Sequence, residues 1–256
     1  MIELFGTISN IINQGKSVVL CSIVQTSGAV PRHAGSKMLV FPDGTTQGTV
    51  GGGEVEEKVR KEALEALKTG KPQLLDCSLM VSEDGSMGLC GGTVKVFIEP
   101  ILPKDKIIIF GAGHVGKPIA HFAKKLGFYV VVSDDRPGMC NENEIPDADL
   151  FLEMPMEEVP QNLAIDERSY LVLVTRGSDV DIKGLPALLK TDAPYIGVMG
   201  SKKRWAHTIE GLNALGVTAD QMTRVKTPIG LDIKAENPEE IAVSVMAEII
   251  NFRNRM

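Results

Sequence analysis

Hydrophobic and polar positions alternate between two patterns along this chain, and the change falls near residue 103. Before it, short β-branched runs stand apart. Ser17 to Gln25 (SVVLCSIVQ) and Lys37 to Phe41 (KMLVF) read as strands, the second closed by the turn signal Pro42 to Thr45 (PDGT). From Glu54 to Lys68 the apolar residues Val55, Val59, Ala63 and Leu67 recur every four positions, with Leu64 beside them. That spacing predicts a helix, and Gly70 and Pro72 supply its stop. Thr93 to Glu99 reads as a closing strand, and Pro100 and Pro103 bracket a short connection. A small α+β domain over residues 1–102 is expected.

Beyond that point the apolar runs become continuous, as in strands covered on both faces. Lys106 to Phe110 (KIIIF), Phe128 to Ser133, Asp149 to Leu152, Tyr170 to Thr175 and Tyr195 to Met199 are strand candidates. Helical patterns lead to Leu126, with Gly127 as the cap, and cover Ile182 to Lys190, Lys203 to Leu215 and Pro238 to Arg253. Strands alternating with helices predict a doubly wound parallel sheet over residues 103–256. The expected class is α/β, a small α+β domain followed by a Rossmann-like domain.

Composition narrows the function. The chain has 256 residues, 43% hydrophobic and 23% charged, as in an ordinary globular protein. A net charge of −6 and 5% aromatics oppose a nucleic-acid or membrane-surface partner. The opening MIELFGTISN lacks the basic start and long apolar run of a signal peptide, so a cytoplasmic location is expected. Cys21, Cys77, Cys90 and Cys140 form no CxxC pair, and free thiols are the expectation.

Three glycine-rich segments carry the candidate chemistry. Gly111, Gly113 and Gly116 form G-x-G-x-x-G between an apolar strand and a helix, and Asp134 and Asp135 end the next strand, where a ribose-binding acid is expected. His114 inside this loop either touches a ligand or sits exposed. Gly51, Gly52 and Gly53 open a second helix, so their N–H groups can hold a phosphate, or the glycines form a flexible turn with Glu54 and Glu56 favouring the helix dipole. Cys90, followed by Gly91 and Gly92, is a nucleophile, a sulfur carrier or a soft-metal ligand, or else a small buried hydrophobe. Arg32, His33 and Lys37 cluster in a Gly/Pro-rich loop, and Arg176, Ser201 and Lys202 follow strands, where open α/β sheets bind ligands. Cys21, Trp205 and His207 read as structural. No G-x-S-x-G or H-E-x-x-H motif is present.

The motifs in this order resemble the xanthine dehydrogenase accessory factor family, XdhC/CoxI. The resemblance covers SGAVPRHAGSKMLV, GTVGGGEVE and GLCGGTVKVFIEP, then IIIFGAGHVGKPIA, VVSDDRP, TRGSDVD, YIGVMGSKKR and TPIGLDIKAENPEEIAVSVMAEII. It implies a chaperone that binds the molybdenum cofactor, as molybdopterin or its dinucleotide, promotes its sulfuration with a cysteine desulfurase, and delivers it to a xanthine dehydrogenase-like molybdenum hydroxylase. It also implies a homodimer. Cys90 matches the cysteine of the family's CGG motif, so the resemblance makes it a ligand-facing thiol near molybdenum. Gly51 to Gly53 with Glu56 match GGG-x-x-E. Where relatives often carry histidine in TRGH-x-x-D, this chain has Ser178. Two other readings stand beside this one: an NAD(P)-dependent oxidoreductase and a dinucleotide-sensing regulatory module, both resting on GAGHVG and Asp134.

Overall fold

The computed structural model describes residues 2–78 and 92–255. The chain forms two compact units, Met1–Pro103 and Lys104–Met256. Cys90 and Gly91 lie outside the described residues.

The first unit contains α1 (Ile2–Asn13), β1 (Val18–Ser27), β2 (Lys37–Val40), β3 (Thr46–Gly48), α2 (Gly53–Thr69), β4 (Gln73–Ser78) and β5 (Thr93–Ile101). The strands make an antiparallel sheet in the order β3-β2-β1-β5-β4. Side chains alternate across the sheet. Val19, Cys21, Ile23, Val94, Val96 and Ile98 face a core shared with α2, while Val18, Leu20 and Leu39 pack with Leu4, Ile8 and Ile11 of α1. The strand pattern did not announce α1, β3 or β4. β3 has only three residues, and β4 buries only Cys77 completely, so neither makes a clear apolar run. β5 continues through Pro100, which lies beyond the last β4 pair, Gln73↔Ile98, where one edge is unpaired and a missing N–H is tolerated.

On α2 the fully buried residues are Val55, Val59, Ala63 and Ala66, and Leu67 is only partly covered. A strict spacing of four precesses about 40° per step at 3.6 residues per turn, so the buried stripe moves from Ala63 to Ala66. Gly70 closes the helix in the left-handed conformation, φ 66°.

The second unit contains β6 (Lys106–Phe110), α3 (Gly116–Lys125), β7 (Tyr129–Ser133), β8 (Leu150–Leu152), a 3-10 turn (Met156–Glu158), α4 (Val159–Asn162), β9 (Ser169–Leu173), α5 (Ser178–Leu188), β10 (Tyr195–Val198), α6 (Lys202–Ala214), α7 (Ala219–Met222), β11 (Val225–Lys226) and α8 (Pro238–Arg253). All strands are parallel, in the order β11-β10-β9-β6-β7-β8. This is the Rossmann-like α/β arrangement. The isoleucines and valines of β6 and β7 are buried on both faces: Ile107, Ile109, Val130 and Val132 pack towards α3 and α8, and Ile108, Phe110 and Val131 towards Leu185, Leu188 and Leu212. Trp205 packs partly against the second core, whereas His207 is exposed, 3.9 Å from Glu210 one turn on. The chain enters at β6, builds outwards through β7 and β8, then returns to start β9 on the other side. The strand order therefore reverses between β6 and β9, which opens a crevice at their C-terminal ends.

Candidate functional site

Three strand ends meet at that crevice. The loop after β6 turns at Gly111, whose φ of 121° favours glycine and whose N–H donates to the Ser133 carbonyl at 2.8 Å. A Cβ on Gly111 would stand 2.5 Å from the Val174 carbonyl oxygen, and one on Gly116 would stand 1.9 Å from the Gly111 carbonyl oxygen. These two glycines are therefore required by packing. Gly113 differs: nothing lies within 4 Å of a Cβ placed there. Gly113 lies just before α3, whose start has no side-chain cap and no acid in its first turn. Free N–H groups and the helix dipole favour an anion at such a place. His114 is exposed on the same loop.

Charged side chains from the ends of β7 and β9 form the wall. Asp134 is 6% exposed and its carboxylate accepts four hydrogen bonds: from the Ala112 N–H (2.8 Å), the Arg136 N–H (3.0 Å), Arg136 Nε (2.9 Å) and Arg136 Nη2 (2.7 Å). Burial pushes this carboxyl up, but the Arg136 and Ala112 donors outweigh it and hold it below the usual range. Asp134 thus braces the glycine loop against β7. Asp135, more exposed, pairs with both terminal nitrogens of Arg176, one at 2.8 Å, and the guanidinium holds its carboxyl low. The Asp135–Arg176 bridge joins the loop after β7 to the loop after β9. Beneath it, Gly111, Asp134, Arg136 and Thr175 help line a cavity of about 20 Å³. On its other side, Asp135 and Arg176 also line a groove of about 440 Å³ with Glu157, Asp179 and Lys183.

The loop after β9 is fixed from behind. Asp181, fully buried in the first turn of α5, accepts from Thr175 Oγ1 at 2.6 Å and from Arg204 of α6 at 2.5 and 3.2 Å. Arg204 also donates to the Thr175 carbonyl at 3.3 Å. Burial raises the Asp181 carboxyl, and the bonds from Thr175 and Arg204 pull it back. Ser201 accepts from the Arg204 N–H as the cap of α6, and Lys202 is exposed at its start.

In the first unit the triple-glycine loop already holds an anion, the chain's own. Glu56 Oε1 accepts from the Gly52 N–H (3.0 Å), the Val50 N–H (3.2 Å) and the Thr49 hydroxyl. Gly51, Gly52 and Gly53 have φ of 140°, 78° and 56°, which lets this loop fold around the carboxylate. A phosphate at these amides would have to displace Glu56. Gly92 is set by packing: a Cβ there would stand 2.3 Å from the Ala29 carbonyl oxygen and 2.7 Å from that of Ser27. Arg32 and His33 are exposed. Cys21, Cys77 and Cys140 are buried free thiols, and burial pushes Cys21 up to about 12. Among the described residues, no group of three His, Cys, Asp or Glu side chains is placed to hold a metal ion.

Two of the residues that shape this crevice, Arg136 and Arg204, were not singled out by sequence patterning. The adjacency in DDRP was visible, but the partner of each aspartate is decided by the loop's course.

The model of the XdhC Rossmann domain matches residues 107–249, and that of the XdhC and CoxI family matches residues 11–78. The chain belongs to the XdhC and CoxI family. It is 31% identical over 254 residues to the uncharacterized protein YqeB of Escherichia coli, covering 98% of this chain and 46% of that protein. It is 35% identical over 164 residues to a probable xanthine dehydrogenase subunit of Bacillus subtilis, covering 64% of this chain and 48% of the relative. The chain thus spans about half the length of these two relatives. The molybdenum cofactor insertion chaperone PaoD of Escherichia coli is 23% identical over 93% of this chain and 84% of its own. Among solved structures, a crystal structure of a xanthine dehydrogenase from Bacillus halodurans matches with a TM-score of 0.53 at 25% identity, covering 98% of this chain and 96% of that one.

Proposed function

We propose that this chain is an accessory factor that binds the molybdenum cofactor as cargo and inserts it into a xanthine dehydrogenase-type hydroxylase. The observation that carries the reading is the loop from Gly111 to Gly116. It offers an uncapped helix start and open space at Gly113, in a chain of the family to which the matched motifs belong. PaoD, a relative over most of its length, is a molybdenum cofactor insertion chaperone. A phosphorylated cargo fits the loop, because neutral amide donors hold an anion without locking it in a deep ion pair. Such holding suits a protein that must release what it binds.

The finer steps extend the same reading. Cys90, outside the described residues, meets the molybdenum end of the cargo as a transient ligand or sulfur relay, with a cysteine desulfurase as sulfur donor. Gly51 to Gly53, Glu56, Gly91 and Gly92 of the first unit and His114 of the second are cofactor-handling residues, the first three glycines with Glu56 as a carboxylate-filled loop. The protein works in the cytoplasm as a homodimer. The cavity at Asp134 also supports a second reading, a nucleotide-binding Rossmann unit.

The test is cofactor retention. Purified protein is loaded with molybdenum cofactor and gel-filtered, and the protein fraction is assayed for pterin fluorescence. Retention by wild type, with loss in Cys90→Ser and in Gly113→Val, is the expected result. No retention by wild type despite proven cofactor supply overturns the reading.

A further inference from the structure

At the tip of the second strand of a Rossmann unit, a free carboxylate reads the hydroxyls of an unmodified ribose, and an arginine accommodates a phosphate on that ribose. In this chain the tip of β7 carries a carboxylate with nothing left to give. Two carboxylate oxygens offer about four acceptor positions, and all four of Asp134 are taken by Ala112 and Arg136. Freeing one means breaking a hydrogen bond at a group 6% exposed, two of them to a guanidinium. The Arg136 bonds pair two ionised groups in a buried place, whereas a ribose hydroxyl would bring only a neutral donor in exchange. A ribose diol therefore does not open Asp134.

The neighbouring pair behaves differently. Asp135 and Arg176 keep 33% and 48% of their side-chain surface exposed. Solvent screens an ion pair this exposed, so a more highly charged anion can compete with Asp135 for the Arg176 guanidinium. Arg136 lines the same 20 Å³ cavity as Arg176, with 40% of its side chain exposed. Removing Asp135 from Arg176 would leave two guanidinium groups at the cavity that Gly111 lines and open the 20 Å³ cavity toward the 440 Å³ groove, which share Asp135 and Arg176. A dianionic phosphate monoester has the charge and the planar sets of oxygens that two guanidinium groups bind.

We infer that the end of β7 is a phosphomonoester site, in which a terminal phosphate displaces Asp135 from Arg176 and is held by Arg176 and Arg136, so that a 2′-phosphorylated dinucleotide is taken in preference to an unphosphorylated one. Asp135 is the internal stand-in for that phosphate. Asp134 is a brace that excludes the diol. The site does not depend on the cargo reading, although a phosphate monoester on the cargo offers the same chemistry.

Calorimetric titration of the full chain with NADP+ and NAD+ at fixed ionic strength tests this. Affinity for NADP+ at least tenfold above that for NAD+ is expected, about 1.4 kcal/mol. Arg176→Gln should remove the preference, and Asp135→Asn should strengthen NADP+ binding, because it frees Arg176. A purely structural ion pair does not give opposite signs in these two variants. Both residues lie near the surface, and Arg176→Lys, which keeps the charge, checks that the fold is intact. A parallel arm compares retention of the simple cofactor, which ends in a phosphate monoester, with that of its dinucleotide. Retention of the simple form alone, dependent on Arg176 and without NADP+ binding, assigns the same site to the cargo. Equal affinities for NAD+ and NADP+, or no Arg176-dependent binding of either nucleotide or cofactor, overturns the site while leaving retention through Cys90 and Gly113 to stand or fall by its own assay.

Discussion

Glu56 offers a direct test of whether the triple-glycine loop is a ligand cradle or a self-filled one. Glu56→Ala removes the acceptor from the Gly52 and Val50 amides and the Thr49 hydroxyl, and an acid from the first turn of α2. Loss of a cap costs about 0.5–2 kcal/mol and loss of the dipole interaction about 0.3–1 kcal/mol, so the total is about 1–3 kcal/mol. For a unit of ~100 residues, 2 kcal/mol lowers Tm by about 8–16 °C. Amide hydrogen exchange at the start of α2 localises the effect. The pH dependence has a fixed sign. Burial pushes the Glu56 carboxyl up, but the Thr49, Gly52, Val50 and Gly51 donors outweigh it and hold it below the usual range. Its stabilisation is therefore full above the unfolded value of about 4.3 and fades as pH falls through the lower folded value. The gap between wild type and variant closes in that acidic window. Phosphate adds a decisive arm. If it enters the emptied loop with Kd of about 5 mM, 50 mM restores about 1.4 kcal/mol to the variant, and wild type gains nothing in α2. A variant within about 0.5 kcal/mol of wild type, or equal phosphate protection of α2 in both, refutes the self-filled loop.

Other perturbations separate packing from binding. Gly111→Ala should destabilise the second unit by about 3 kcal/mol or more, since its Cβ meets a backbone oxygen at 2.5 Å in a conformation alanine avoids. Gly113→Ala should leave urea stability within about 1 kcal/mol, because its Cβ meets nothing; a loss comparable to Gly111→Ala would contradict the open loop. Asp181→Ala should cost about 2–4 kcal/mol by stranding Arg204 and Thr175, and Asp181→Ala with Arg204→Met should cost less than the sum of the singles. Strict additivity in urea unfolding would dismiss that coupling. Cys21, with its thiol pushed up to about 12 by burial, should resist iodoacetamide at pH 8 in the native chain and react in urea; rapid native labelling detected by peptide mass would sink this reading.

Much of the architecture was legible in residue order because it rests on local periodicity. The continuous runs of β6, β7, β9 and β10 need burial on both faces, and that requirement alone predicts a parallel sheet flanked by helices. The ends of α2 and α8 follow from Gly70 and Pro238, whose backbone preferences act locally. α1, β3 and β4 escaped this reading because their burial comes from partners, not from a strong pattern of their own. The shift from Leu67 to Ala66 on α2 has the same origin, since the sheet decides which side of the helix is covered.

The site divides along the same line. The glycine motifs, Asp134 and Arg176 stood out in the sequence, because turns and helix starts leave local signatures. Which carboxylate pairs with which cation did not, because Asp135 and Asp181 meet partners from distant elements, and even the Asp134–Arg136 pair depends on how the loop after β7 turns. Tertiary structure spent Asp134 on Arg136 and Ala112, set Asp135 against Arg176 across 41 positions, and buried Asp181 against Arg204 across 23. It also turned Glu56 into the anion of its own glycine loop. Sequence by itself determined where backbone amides and charges are offered. The fold decided which of them remain free for a ligand, since a hydrogen bond satisfied within the chain is no longer available outside it.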